Sequence, residues 1–176
     1  MSGARWVWIL GGLGLLALMA AGGVAVTYSW EESAEGKKWA PALTAAEQKY
    51  GIPAGLLSRQ AAEESSFDPS VIYGEEASSA GALGILQLEP AYFSSVNVPV
   101  PFTDADVLAQ IDQAAQYDAE LRRRFGSWQL ALEAYNWGPT ALARWEASGG
   151  DPSELPTQSS NYSAQILADV PTALNA

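Results

Sequence analysis

From Trp6 to Trp30 the chain carries no charged residue, and this one run decides how the rest of its 176 residues can be used. The run holds Ile9, Leu10, Leu13, Leu15, Leu16, Leu18, Val24 and Val26. At ~1.5 Å rise per residue, a helix of this length is long enough to cross a hydrocarbon core of ~30 Å. Trp6 and Trp8 stand at one end, with Tyr28 and Trp30 at the other, as in the aromatic belts of a spanning helix. The expectation is an N-terminal transmembrane anchor within residues 1–30. Arg5 precedes the run while Glu31, Glu32 and Glu35 follow it, so the positive-inside tendency leaves the remainder of the chain outside the membrane. A cleavable signal peptide is the competing reading, although its apolar region is usually only ~7–15 residues long.

What remains is room for a polar linker, residues 31–38, and one compact domain, residues 39–176. The content of 48% hydrophobic residues suffices for a core, so a disordered tail is excluded. The chain contains no cysteine, which removes thiol nucleophiles and disulfide staples. It also contains no histidine. A Ser-His-Asp triad and a histidine zinc site are therefore impossible, and proton transfers fall to carboxylates, tyrosine, lysine or water. No metal and no cofactor are expected. All 20 acidic residues follow the apolar run, so this part is more acidic than the net −11 of the whole chain. The basic footprint of a nucleic-acid binder is absent.

The domain reads as mainly α. Leu43, Ala46 and Tyr50 give an apolar stripe from Trp39 that Gly51 ends, and Pro53 opens a second helix over 54–65. Residues 68–82 read as loop, and a short apolar turn follows at 83–88. The clearest helix runs over about 104–124, opened by a Thr103–Asp106 capping box and closed by Arg122–Arg124. Helices over 128–135 and 139–147 break at Gly138, and a last one covers about 161–169.

Four segments carry the chemistry, in this order. They are Glu64-Ser65-Ser66-Phe67-Asp68-Pro69, Gly81-Ala82-Leu83-Gly84-Ile85-Leu86-Gln87, Ala134-Tyr135-Asn136-Trp137-Gly138-Pro139, and Pro156-Thr157 followed by Asn161-Tyr162. Together they resemble the lytic transglycosylase family, whose catalytic domain has a goose-type lysozyme fold. The resemblance covers nearly all of residues 39–170. Ile85-Leu86 stands where Leu-Met is commoner, Tyr92-Phe93 follows the second segment, and the loop between Phe67 and Gly81 is long and carries Glu75 and Glu76.

A glycosidic oxygen leaves only after protonation, and a carboxyl that protonates it near neutral pH needs a raised pKa. Glu64 lies at the C-terminal end of its helix, where the negative end of the macrodipole disfavours the carboxylate. It is the expected general acid, and its neighbour Glu63 reads as a solvated helix residue. The resemblance implies that the same carboxylate then serves as base on the muramic acid C6 hydroxyl, closing a 1,6-anhydro ring without water. It further implies that Ser65 bonds near the acid, that Gln87, Tyr135 and Asn136 line the cleft, and that Tyr162 orients Glu64. Plainer roles stand beside these, with Gln87 as a turn cap and Tyr135 and Tyr162 as core aromatics. Phe67, Trp137, Trp128 and Trp145 read as packing residues.

Peptidoglycan glycan strands and the membrane are the expected partners, and nucleic acid is not. The small size suits local wall opening for a secretion or conjugation apparatus, or for phage entry. Two alternatives stay open. One is a hydrolytic lysozyme, which needs a second carboxylate such as Glu75, Glu76 or Glu89. The other is a non-catalytic, membrane-tethered wall-binding assembly protein.

Overall fold

The computed structural model describes residues 15–20, 23–28 and 32–175. Strands β1 (Leu15–Ala20) and β2 (Gly23–Tyr28) pair antiparallel, with Leu15 opposite Tyr28 and Ala20 opposite Gly23. Most residues of the expected N-terminal anchor, 1–14, 21–22 and 29–30, lie outside the described residues. The β-branched Val24, Val26 and Thr27 suit a strand. Trp6, Trp8 and Trp30, the belt residues of that expectation, lie outside the described residues. Among the described residues no helix is long and apolar enough to cross a membrane.

Beyond the hairpin the chain is mainly α, as expected. The helices are α1 (Ala34–Tyr50), α2 (Leu56–Ser65), α3 (Pro69–Ile72), α4 (Asp104–Phe125), α5 (Trp128–Trp137), α6 (Pro139–Ala147) and α7 (Thr157–Asp169). Because α1 starts at Ala34, most of the stretch read as linker is helical. The cause is local: the Ser33 hydroxyl accepts from Gly36 N at 2.9 Å, and Glu35 accepts from Trp39 Nε1 at 2.9 Å. Similarly, α7 begins four residues before its expected start at 161, at Thr157, directly after Pro156.

Two compact units divide these elements. The first holds the chain through Leu43 together with Glu64–Ile111, and the second holds Thr44–Glu63 with Asp112 onward. In the first unit, Lys38 Nζ donates to Asp104 Oδ1 and to Tyr73 Oη, both at 2.7 Å. This ties the start of α1 to the end of α3 and the start of α4. The expected capping box forms there, with Thr103 N donating to Asp106 Oδ2 at 2.8 Å and Asp106 N to Thr103 Oγ1 at 3.3 Å. Trp39, Phe67, Ile72, Ile85, Leu86 and Val107 are among its buried apolar residues.

In the second unit the buried carboxylate of Glu47 accepts from the backbone N–H groups of Gly55, Leu57 and Ser58 at 2.9, 3.0 and 3.2 Å. These are N–H groups around the start of α2, which have no partner within a helix. Glu47 thereby sets where α2 begins. Helix α5 packs against both α6 and α7. Leu132, Leu142, Ile166 and Tyr162 are each fully buried there.

Candidate active site

Glu64 occupies the last turn of α2 and is half-buried. The backbone reverses directly after it through Ser66 and Phe67, both at φ 51°. Two consecutive side-chain-bearing residues in the left-handed region are costly, and such conformations gather where function demands them. Three contacts hold the reversal. Ser65 Oγ accepts from Phe67 N at 3.3 Å, Ser65 O accepts from Asp68 N at 2.9 Å, and the Phe67 ring is buried. Asp68 then caps α3 by accepting from Ser70 N at 2.8 Å. Ser65 is itself buried, turned onto the backbone of its own turn.

The second segment is an equally tight loop. Leu83 and Leu88 exchange both backbone hydrogen bonds at 2.9 Å, enclosing Gly84 at φ 81° and Gln87 at φ 46°. Gln87 Nε2 donates to Gly84 O at 3.0 Å, so this side chain does cap the turn. A Cβ at position 84 would collide with the Gln110 carboxamide, which is fully buried on α4. Among the described residues, the non-glycine positions with positive φ are Ser66, Phe67 and Gln87, all inside these two segments. Glu75 and Glu76 are exposed, and Glu89 is half-buried.

In the second unit, Tyr135 and Asn136 sit at the end of α5, which Gly138 stops at φ 97° before Pro139 opens α6. The Tyr135 ring lies 5.8 Å from that of Tyr117, tilted by 52°. Asn136 Oδ1 accepts from Ser159 Oγ at 2.9 Å, which joins the third and fourth segments. Tyr162 is 1% exposed and belongs to the core of this unit, so in this conformation it presents no face to a sugar. Glu64, Ser65 and Gln87 thus fall in the first unit, and Tyr135, Asn136 and Tyr162 in the second.

Glu63 departs from its sequence reading. It is an ion-pair partner of buried Arg59, whose Nη1 donates to Glu63 Oε2 at 2.8 Å and whose Nε donates to Asp169 Oδ2 at 2.6 Å. One of two adjacent glutamates is therefore tied to a cation.

Over residues 41–170 the sequence matches the family model described as the Transglycosylase SLT domain. The chain belongs to the SLT transglycosylase family. The match spans most of the chain, including all four segments and helices α2 to α7 entire. An SLT domain has a lysozyme-like fold and a lytic transglycosylase type of activity, with peptidoglycan as its substrate. Three residues that shape this SLT domain escape a motif-based reading: Glu47, Arg59 and Glu133. Each is a charged residue at 3% exposure or less. The available signal is a lone charge at an otherwise apolar position, as in Ala131-Leu132-Glu133-Ala134.

Proposed function

We propose that the chain cleaves the β-1,4 bond between N-acetylmuramic acid and N-acetylglucosamine in peptidoglycan, with Glu64 as general acid and then general base. The observation that carries this reading is the setting of Glu64. It ends a helix, precedes a strained reversal, and stands beside a glutamate already committed to Arg59.

In the first step the protonated Glu64 carboxyl gives its proton to the glycosidic oxygen as the bond from C1 breaks. The substrate's own N-acetyl group stabilises the positive charge developing at C1, so no second protein carboxylate is required. The Glu64 carboxylate then takes the proton of the muramic C6 hydroxyl. Its oxygen closes on C1 to give the 1,6-anhydro product. The proton returns to Glu64 and no water is consumed. Gln87, Tyr135 and Asn136 belong to the substrate-binding side of this proposal, and Ser65 to the turn that presents the acid.

The uncharged run from Trp6 to Trp30 serves, in the same reading, as a membrane tether that keeps the domain outside the bilayer, and its length and flanking aromatics support this. A tethered domain of this size suits local opening of the wall for a secretion or conjugation apparatus, or for phage entry. Carbonate extraction of membranes from expressing cells tests the tether, and recovery of the protein in the supernatant would refute it.

The activity is tested by mass spectrometry of the muropeptides that the full-length protein releases from purified sacculi. Products lighter by one water than hydrolytic ones, and absent with Glu64→Gln, are expected. Reducing ends would establish a hydrolase and direct attention to Glu75, Glu76 and Glu89. No release by the wild type would refute catalysis and leave a wall-binding protein.

A further inference from the structure

Glu133 is completely buried in α5, two residues before Tyr135 and three before Asn136. Its Oε1 accepts from Gln129 Nε2 and from Ser163 Oγ, each at 3.0 Å, and the Ser163 hydroxyl is shared with Ser160 O at 3.1 Å on its own helix. Its Oε2 is buried without a hydrogen-bond partner among the described residues. A buried carboxylate satisfied on one oxygen only is costly, and a neutral side chain of the same shape would be the cheaper occupant. Packing alone therefore gives no reason for a glutamate here.

The partners supply one. Glu133 and Asn136 are three residues apart on α5, and Ser159 and Ser163 are four apart on α7, so each pair shares a helix face. Ser163 donates to Glu133 while Ser159 donates to Asn136, which makes two rungs of an antiparallel ladder about one turn apart. Ser159 and Ser163 are both buried, so the competitor for the Ser163 rung is the Ser160 carbonyl one turn back rather than solvent. A slide or rotation of α7 breaks both rungs together. The Ser159 rung also occupies Asn136 Oδ1, which leaves the Nδ2 amino group as the end of that half-buried carboxamide available to donate. Sugar hydroxyls and acetamido carbonyls are acceptors that such a donor recognises.

We propose that Glu133 is a positioning residue for glycan recognition: through Ser163 it fixes α7, and through Ser159 it fixes the donor face of Asn136. The proposal rests on the peptidoglycan reading above. It does not place Glu133 in contact with substrate, because the residue has no exposed surface.

A purely structural role predicts that Glu133→Gln lowers the melting temperature and the active fraction, and so reduces kcat with KM unchanged. A positioning role predicts the reverse. The buried charge is gone, so the melting temperature holds or rises. Glycan recognition is misaligned, so KM for soluble uncrosslinked glycan strands rises about 10-fold while kcat stays within about 2-fold, as expected when uniform binding is lost. Ser163→Ala, a smaller change that keeps the charge, is expected to give the same KM, and the double variant no further increase. Should Glu133→Gln fail to fold, Ser163→Ala alone carries the test.

Calorimetric titration of the same strands in a Glu64→Gln background of the full-length protein reads binding without turnover. There, Glu133→Gln is expected to weaken Kd about 10-fold. An unchanged KM and an unchanged Kd in both single variants would overturn the inference and leave the transglycosylase reading standing. A chain that turns over no glycan but still binds it, with Kd sensitive to Glu133, would remove the catalytic reading and keep the inference. Absence of any glycan binding would overturn both.

Discussion

Arg59 Nη1 and Glu63 Oε2 lie 2.8 Å apart on the last turns of α2, and the same guanidinium reaches Asp169 on α7. The three form a buried cation between two carboxylates, with Arg59 at 3% side-chain exposure, Glu63 at 12% and Asp169 at 25%. Removing one member of such a cluster leaves charges uncompensated, which costs more than the cluster itself contributes. Arg59→Met is therefore expected to destabilise the protein by about 3 kcal/mol, read from chemical denaturation. The triple variant with Glu63→Gln and Asp169→Asn is expected to recover most of that loss. If Arg59→Met alone is neutral, the cluster has no part in holding α2 to α7.

Gly84 answers to a different constraint. Its φ of 81° and the Gln110 carboxamide against its missing Cβ both demand glycine. Gly84→Ala adds left-handed strain and an overpacked contact, together about 2–4 kcal/mol. Adding Gln110→Ala should return the packing share and leave the backbone share. Thermal melts of the two single variants and the double would show this non-additivity. Simple additivity would mean that Gln110 moves aside at no cost.

Burial pushes the Glu47 carboxyl above its ordinary value of 4.5, and the N–H groups of Gly55, Ser58 and Leu57 offset part of that rise. A carboxyl raised in the folded state contributes its stabilisation fully below the unfolded value and loses it as pH climbs through the folded one. Asp104, Asp106 and Asp112 behave oppositely. Lys38, Thr103 and Lys49, respectively, hold them below 3.8, so their share is lost only on strong acidification. The melting temperature of the wild type minus that of Glu47→Gln is thus expected to shrink as pH rises from about 4.5 towards neutrality. A difference that grows with pH would show that the backbone N–H groups outweigh burial.

The helices were largely legible because their signals are local. The Thr103–Asp106 box and the Gly138-Pro139 break act within a few residues, and both stand where the pattern puts them. The tie between α1 and the later helices was not legible, because Lys38 finds its partners on Tyr73 and Asp104, far along the chain. Glu63 pairs with Arg59 one turn earlier on α2, a local contact, whereas the Arg59 bond to Asp169 exists only in the fold. The four segments could be recognised because their chemistry is carried by adjacent residues. Glu47, Arg59 and Glu133 could not, since the role of each is defined by partners on other elements or across a turn.

Ser66, Phe67 and Gln87 hold a backbone shape that glycine would adopt more cheaply. A lineage rewarded only for resisting heat would drift to glycine at exposed Ser66, whereas at Phe67 the buried ring outweighs the strain of its backbone. A hardened variant of this protein obtained by screening for melting temperature alone should carry a change at Ser66, two residues after Glu64. Screens meant to keep the turn after Glu64 as it stands should therefore leave the Ser66 codon fixed.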